Sequence, residues 1–231
     1  MIRAIFVAGT DTDVGKTWIC GLLLAYLREQ GLEAGYQKWV ATGPEFPPTD
    51  LRHCLNTAGM TLEPEQVKAQ VPFHFVFPAS PHLAAEQEGR VVDPRIIRQR
   101  YDELCAVHAP LVVEGVGGVM VPLNRELLLI DLLAELRIPT LLVARSGLGT
   151  INHTLLTVEA LRRRHIPLLG VVCSDAQEAV GDARIMADNL RTIAEMGKLP
   201  VFGHLPHRTD PVMAKALFAP IGQAILSCLR A

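Results

Sequence analysis

Short apolar runs rich in β-branched residues alternate with longer stretches of helical periodicity along the chain. Six of these runs predict strands, at residues 4–8, 34–40, 111–114, 140–144, 168–173 and 201–205. Because the runs are apolar throughout, each strand is expected to be covered on both faces. The alternation therefore predicts an α/β fold, a doubly wound, mostly parallel sheet with helices on both faces. We expect a single domain over residues 1–231.

Helix signals fill the intervals between the predicted strands. A helical pattern over residues 15–30 follows the first strand. Asp93 followed by Pro94 is typical of an N-cap with proline at the first helical position. Two weaker features are an irregular loop over residues 43–48 and an extra strand over residues 71–77.

Composition and charge narrow the class of protein. Hydrophobic residues make up 49% of the chain and charged residues 20%, which allows a sizeable core. A net charge of −2 argues against a broad nucleic-acid surface or an acidic-membrane partner. Five cysteines without a CxxC pair argue against a disulfide framework or a zinc knuckle. No stretch approaches the roughly 18 apolar residues of a membrane span, and the start is too short for a secretory signal. We expect a cytoplasmic protein that binds neither nucleic acid nor membrane.

The clearest chemical motif is the glycine-rich segment over residues 9–17 (GTDTDVGKT), between the first predicted strand and the first predicted helix. In such a P-loop, backbone N–H groups surround phosphate oxygens, Lys16 reaches the β- and γ-phosphates, and the Thr17 hydroxyl can bind Mg²⁺. The helix N-terminus adds its dipole to this anion site. The common motif has four residues between its glycines, whereas five separate Gly9 from Gly15 here. The strand–loop–helix context still predicts a single P-loop domain that binds a nucleoside triphosphate; the alternative is an ordinary turn with a surface lysine.

Three polar residues near predicted strand and helix ends are candidate partners for the metal and the phosphates. Glu114 ends a predicted strand, the glycines after it predict a tight turn, and doubly wound sheets bind ligands at this edge. A P-loop needs such an acid to hold Mg²⁺. Asp50 either joins it or simply caps the helix that begins near Leu51. Lys38, in a buried run, either has an anionic partner or extends outward to solvent.

Five motifs in order along nearly the whole chain resemble the dethiobiotin synthetase family, ATP-dependent enzymes that close the ureido ring in biotin synthesis. They are the P-loop, Lys38 with residues 40–43 (VATG), residues 80–82 (SPH), residues 113–118 (VEGVGG) with Pro122 and Leu123, and residues 148–153 (LGTINH). The five-residue spacing in the P-loop is this family's own variant, so it supports the resemblance.

The resemblance implies Mg²⁺- and ATP-dependent carboxylation and ring closure of 7,8-diaminopelargonic acid with CO₂ to dethiobiotin, ADP and phosphate. A carbamate formed on one amine would attack the γ-phosphate, and the second amine would then expel phosphate from a carbamic-phosphoric anhydride. Lys16 and Lys38 would be the catalytic cations. Thr17, Asp50 and Glu114 would hold Mg²⁺.

The resemblance also implies a set of nucleotide contacts and a substrate contact at Thr42. The nucleotide would be bound by Thr12, Asp13, Val14, Gly15, Lys16, Thr17, Asp50, Glu114, Gly115, Val116, Gly117, Ser174, Asp175, Leu205, Pro206 and His207. Where the family often has Asn-Asp to bind adenine, this chain has Ser174 and Asp175. A hydroxyl there replaces an amide's paired donor and acceptor, which leaves the base preference open.

Residues 149–152 (GTIN) begin a predicted helix whose free N–H groups could bind a carboxylate. In the family this helix start comes from the other subunit and binds the substrate's carboxylate tail. The resemblance therefore implies a homodimer with active sites shared across the interface, in which Thr150, Ile151 and Asn152 contact substrate. Without the resemblance, the segment indicates an ordinary helix N-terminus capped by Thr150 or Asn152.

Three other classes of protein remain as alternatives. Partitioning and metal-insertion ATPases carry an additional lysine near the start of the loop, and no lysine lies between Gly9 and Gly15. An amidase-type synthetase needs a glutaminase domain, for which the chain has no room. A non-catalytic nucleotide switch or scaffold could dispense with Lys38, Thr42 and the predicted helix start at residues 149–152. Their presence favours the enzyme.

Overall fold

The computed structural model describes residues 3–175, 182–206 and 210–230. The strands are β1 (Ala4–Gly9), β2 (Gly35–Lys38), β3 (Val40–Thr42), β4 (Phe73–Phe75), β5 (Leu111–Gly118), β6 (Thr140–Arg145), β7 (Leu168–Ser174) and β8 (Val201–Leu205). The helices are α1 (Lys16–Glu29), α2 (Thr49–Thr57), α3 (Val67–Gln70), α4 (Pro81–Gln87), α5 (Pro94–Val107), α6 (Leu129–Leu136), α7 (Thr150–Arg163), α8 (Ala183–Gly197) and α9 (Pro211–Arg230).

Six strands form one parallel sheet in the order β2-β5-β1-β6-β7-β8. Side chains alternate between its faces, so Ile5 and Val7 of β1 enter one apolar cluster while Phe6 and Ala8 enter another. Helices α1, α2 and α9 contribute to the first cluster, and helices α5 to α8 contribute to the second. The predicted fold class, a doubly wound parallel sheet with helices on both faces, is confirmed.

The second predicted strand, residues 34–40, is wrong as a single element. The chain bends at Trp39, so β2 stays in the main sheet while β3 pairs with β4 in a separate parallel pair of strands. The Trp39 side chain is fully buried, with its ring centroid 4.7 Å from that of Phe6. This anchoring turns residues 40–42 away from β5. The predicted extra strand is confirmed as β4, shorter than expected.

Strand β5 also differs from its prediction. A tight turn was expected directly after Glu114, but the strand continues to Gly118. The expected irregularity is present in another form, because the register with β1 shifts between Val7 and Gly9, and Gly117 has a φ of 58°. Glu114 therefore lies within the strand and is fully buried.

Helix termini follow the local sequence signals in part. The Asp93 side chain accepts a hydrogen bond from the backbone N–H of Arg95, which confirms the predicted N-cap with Pro94 at the first position. Helix α2 begins at Thr49 after Pro48, so the interpretation of Asp50 as its N-cap is wrong.

The C-terminal helix α9 corrects the expectation that no stretch is apolar enough to span a membrane. By length and composition this helix of 20 residues could do so, with a mean hydropathy of 1.6. One face of it buries Phe218, Ile221 and Ile225 in the apolar cluster that contains much of α1. A single such helix is weak evidence for a membrane span.

Candidate active site

A cleft of about 710 Å³ opens at the carboxyl edge of the sheet, between the P-loop and the ends of β2, β3 and β5. Of the described residues, it is lined by Thr12, Asp13, Gly15, Lys16, Thr17, Trp18, Lys38, Val40, Ala41, Thr42, Asp50, His53, Glu114, Val116, Gly117 and Asp175. This edge is where doubly wound sheets bind their ligands.

The P-loop folds back over its own lysine. Lys16 donates a hydrogen bond from Nζ to the carbonyl oxygen of Asp11 at 2.7 Å. Asp13 and Gly15 have φ angles of 55° and 93°, the left-handed conformations that turn the backbone around an anion site. A Cβ atom at Gly9 would stand 2.8 Å from the backbone carbonyl oxygen of Asp11, so the first glycine of the motif is required by space.

Two carboxylates and one hydroxyl meet the second lysine at the base of the cleft. Lys38 Nζ lies 2.5 Å from Glu114 Oε1 and 2.7 Å from Asp50 Oδ2. The Thr17 hydroxyl lies 2.8 Å from Glu114 Oε1 and 3.1 Å from Asp50 Oδ1, and its single proton can serve one of them at a time. The prediction of an anionic partner for Lys38 is confirmed, and the alternative of an outward-facing lysine is wrong.

Strand register explains why these groups meet. Lys38 of β2 pairs with Glu114 of β5 across a parallel ladder, so both side chains stand on one face. Tyr36 precedes Lys38 by two residues, lies on the same face, and donates a 2.7 Å hydrogen bond from its hydroxyl to Glu114 Oε2. Glu114 is thus held at one oxygen by Tyr36 and presents the other to the cleft.

Burial and charge set the protonation of the cluster. Burial alone would lower the pKa of Lys38, but the charges of Glu114 and Asp50 raise it above its ordinary value. Burial would raise the pKa of Asp50, and the Lys38 ammonium instead holds it below its usual range. Burial, with the charge of Lys38, lowers the pKa of Lys16 to about 8. Asp50 and Lys38 are therefore charged at neutral pH, and Lys16 titrates just above it.

The donor set fits a hard divalent cation. Mg²⁺ prefers oxygen ligands and often takes one or two carboxylates together with phosphate and water oxygens. Thr17, Asp50 and Glu114 offer that chemistry within one cluster. In the part of the chain that the structure describes, no group of three His, Cys, Asp or Glu side chains is arranged for a metal. Phosphate and water oxygens would have to complete the site.

The other predicted residues of the P-loop and β5 fall into two groups, those that line the cleft and those that are buried without lining it. Thr12, Asp13, Val116 and Gly117 line the cleft, as does Thr42 at the end of β3. Val14 and Gly115 are buried and do not line it, which restricts their contacts with a ligand to backbone atoms. Gly115 is packed against Phe6, since a Cβ atom at position 115 would stand 2.9 Å from the ring of Phe6.

The residues expected to bind the base lie at the ends of β7 and β8. Asp175 lines the cleft, and its backbone N–H donates to the Leu205 carbonyl at 3.0 Å. The Ser174 hydroxyl is buried without a hydrogen-bond partner among the described residues, and neither it nor Leu205 lines the cleft. Pro206 follows the end of β8 and is half-buried. His207 lies outside the described residues. The base-binding role of this segment stays a prediction.

The predicted substrate helix start does not line the cleft of its own chain. Helix α7 begins at Thr150 with Gly149 as its N-cap, so the alternative of Thr150 or Asn152 as cap is wrong. The Thr150 hydroxyl is buried 3.5 Å from that of Thr154, and its backbone N–H donates to the Gly147 carbonyl oxygen at 3.4 Å. Ile151 is half-buried and Asn152 is exposed. None of the three lines the cleft among described residues.

Sequence reasoning missed several residues of the site. Tyr36 was the one that the sequence could most readily have revealed, because the hydroxyl of a tyrosine in a buried strand needs a hydrogen-bond partner. Trp18 and His53 line the cleft beside Thr17 and Asp50, with ring centroids 5.5 Å apart. Such contacts between separate helices have no local sequence signal.

A second group of residues that the sequence did not reveal surrounds Asp175. Ser146 donates to one of its carboxylate oxygens. His204 Nε2 lies 3.0 Å from the other oxygen.

Comparison with known proteins identifies the family. A family model described as an AAA domain matches residues 3–214. ATP-dependent dethiobiotin synthetase BioD of Rhodopseudomonas palustris strain HaA2 is 41% identical over 226 residues, covering 96% of this chain and 94% of the relative. The protein of the same name from Halalkalibacterium halodurans is 35% identical over 212 residues, covering 91% and 87%.

Solved structures share the fold at low identity. The cell division ATPase MinD of Pyrococcus furiosus superposes with a TM-score of 0.58 and 15% identity, covering 100% of this chain and 98% of that one. A ParA family ATPase from Chlorobium tepidum TLS gives a TM-score of 0.55 and 12% identity, covering both chains completely. These ATPases share the fold at 12–15% identity, whereas the dethiobiotin synthetases are 35–41% identical over most of the chain. This chain therefore belongs to the ATP-dependent dethiobiotin synthetase family.

Proposed function

We propose that the chain is an ATP-dependent cyclo-ligase that converts 7,8-diaminopelargonic acid and CO₂ to dethiobiotin, with release of ADP and phosphate. The observation that carries this proposal is the convergence of Lys16, Lys38, Thr17, Asp50 and Glu114 in one cleft at the carboxyl edge of the sheet. The relatives that cover nearly the whole chain are named for this activity.

The P-loop side of the cleft is assigned to the triphosphate. Lys16 would neutralise the β- and γ-phosphates, and the left-handed residues Asp13 and Gly15 turn backbone N–H groups toward them. Thr17, Asp50 and Glu114 would hold Mg²⁺, which neutralises phosphate charge during transfer. The contribution of these residues is positioning and electrostatic stabilisation.

The β2–β3 side of the cleft is assigned to the diamine. One amine adds to CO₂ and loses a proton to give a carbamate, whose oxygen attacks the γ-phosphorus as ADP departs. The second amine then attacks the carbamoyl carbon of the anhydride and expels phosphate, which closes the ring. Lys38 would neutralise the carbamate, and the Thr42 hydroxyl, on the same side, would bind the substrate.

A homodimer would complete the substrate site. The helix start formed by Thr150, Ile151 and Asn152 does not line the cleft of its own chain, and Leu148 just before it is 81% exposed. This arrangement supports a role in which the helix start faces the cleft of a second subunit and binds the diamine's carboxylate. Mixing inactive Lys38→Ala and Asn152→Ala subunits tests it. Activity should return in the mixture, because one of its two sites would have both residues intact, and a mixture that stays inactive contradicts shared sites.

The remaining assignments concern the whole chain. The continuous sheet supports one domain over residues 1–231. Five free cysteines, of which Cys20, Cys54 and Cys173 are buried, support a reducing cytoplasmic location. We propose that the domain binds neither a membrane nor a nucleic acid.

Phosphate release tests the proposed reaction directly. Purified protein is incubated with MgATP, bicarbonate and the diamine, and each component is omitted in turn. The ligase releases phosphate only with all of them and forms dethiobiotin, identified by mass spectrometry. A scaffold would release none, and an ATPase switch would release phosphate without the diamine; either result refutes the proposal. Repeating the assay with CTP and GTP measures the base preference.

A further inference from the structure

The ammonium group of Lys38 occupies the side of both carboxylates that faces the cleft. It bridges Glu114 Oε1 and Asp50 Oδ2 at 2.5 and 2.7 Å. The Lys38 side chain is 7% exposed and that of Glu114 is fully buried, so solvent contributes little to neutralising them. A buried carboxylate without a counter-charge is strongly unfavourable, and Lys38 supplies that charge here.

A divalent cation would need the same oxygen atoms. Tyr36 donates to Glu114 Oε2, whereas Oε1, the oxygen that meets Thr17 in the cleft, is the atom that Lys38 contacts. Magnesium binds oxygen at about 2.1 Å, so a metal and an ammonium group sharing Oε1 would stand less than about 5 Å apart. Like charges in a poorly solvated site repel strongly at that separation.

We propose that Lys38 is the counter-cation of the metal site while no metal is bound, and that metal entry releases its ammonium group into the cleft toward the substrate anion. The four-carbon side chain has the freedom for this movement, and the cleft of about 710 Å³ has the space. The lysine that neutralises the carbamate would thus become available only when the metal is loaded. This inference rests on the proposed function in taking Asp50 and Glu114 as metal ligands and Lys38 as the cation of the substrate anion.

Metal affinity without nucleotide or diamine gives the first test. Free Mn²⁺ is measured by electron paramagnetic resonance in titrations of the wild type, Lys38→Met and Lys38→Arg. Lys38→Met should bind Mn²⁺ roughly tenfold more tightly than the wild type, because no ammonium competes for the carboxylates. Lys38→Arg keeps the charge and should stay close to the wild type. Equal affinity in the wild type and a folded Lys38→Met protein overturns the proposal.

The reactivity of Lys38 in the wild-type protein gives a second test that does not depend on how the variants fold. Amines are labelled with isotope-coded acetic anhydride at increasing Mg²⁺ concentrations, and mass spectrometry follows each lysine. Labelling of Lys38 should rise severalfold with Mg²⁺, while the exposed Lys68 and Lys198 should not respond. Labelling of Lys38 that is unaffected by Mg²⁺ overturns the proposal. Neither test involves turnover. A negative result in both tests would therefore refute the release of Lys38 without refuting the ligase, and an inactive enzyme would refute the ligase without refuting the release of Lys38.

Discussion

Replacing Tyr36 by phenylalanine isolates the hydrogen bond that orients Glu114. The tyrosine hydroxyl donates to Glu114 Oε2 at 2.7 Å, and both side chains are fully buried. Burial raises the pKa of Tyr36 well above its ordinary value, so the phenol keeps the proton that it donates. A hydrogen bond to a charged group contributes about 1.5–3 kcal/mol. We therefore expect Tyr36→Phe to lose about 2 kcal/mol of unfolding free energy, which lowers Tm by roughly 4–8 °C for a protein of this size.

The same substitution should weaken the metal site. Residues that orient a metal ligand typically contribute about 10–100-fold to metal affinity or activity. The Mg²⁺ concentration for half-maximal phosphate release should therefore rise by about tenfold or more in Tyr36→Phe. Thermal unfolding followed by circular dichroism and a magnesium titration of the coupled assay measure the two effects.

Tyr26→Phe is the matched control. Its hydroxyl donates to Gln223 Oε1 at 2.9 Å, a neutral hydrogen bond outside the cleft. Its loss should cost about 1 kcal/mol and leave the magnesium titration unchanged. A Tyr36→Phe protein with wild-type stability and a wild-type magnesium requirement would refute the assigned role of Tyr36. Equal magnesium shifts in both variants would refute a specific effect at the metal site.

Three further predictions concern the charged cluster. Lys16→Ala should reduce phosphate release by roughly 10²–10³-fold because phosphate charge goes uncompensated, while Lys215→Ala, which removes only the surface ion pair with Glu29, should match the wild type in the same assay. Asp50→Asn and Glu114→Gln should each raise the Mg²⁺ requirement, and an unchanged titration removes that residue from the metal site. Because the pKa of Lys16 is lowered to about 8, its charge is present below that pH and is lost above it. ATP affinity measured by calorimetry should weaken by up to about tenfold between about pH 7.5 and about pH 9. Lys16→Arg, which stays charged, should show no such pH dependence.

The order of strands and the P-loop could be predicted because their signals are local. An apolar run, a glycine-rich turn and a helical stripe each lie within about twenty residues, and five of the six strands predicted for the sheet are present as single elements. The partner of Lys38 could also be anticipated, since an ammonium group inside an apolar run requires a counter-charge. Its identity could not, because Lys38 and Glu114 are 76 positions apart and meet only through the register of β2 and β5.

Where prediction failed, tertiary packing had overridden the local pattern. Residues 34–40 have the composition of one strand, and the bend at Trp39 arises because its side chain packs against Phe6 of β1. The glycines after Glu114 favour a turn, yet hydrogen bonding within the sheet extends β5 to Gly118. Both effects depend on contacts with other strands, so the sequence of the affected segment alone does not predict them.

The bend at Trp39 also bears on how this fold supports a ligase. The ParA family ATPase and the cell division ATPase MinD share the fold with TM-scores of 0.55 and 0.58, so the backbone alone does not separate these ATPases from a synthetase. In this chain Lys38 ends β2 beside Glu114, and the bend that follows places Thr42 on the wall of the same cleft. The prediction that failed at the level of secondary structure thus concerns the segment that brings a lysine and a hydroxyl to the side of the cleft that we propose binds the substrate.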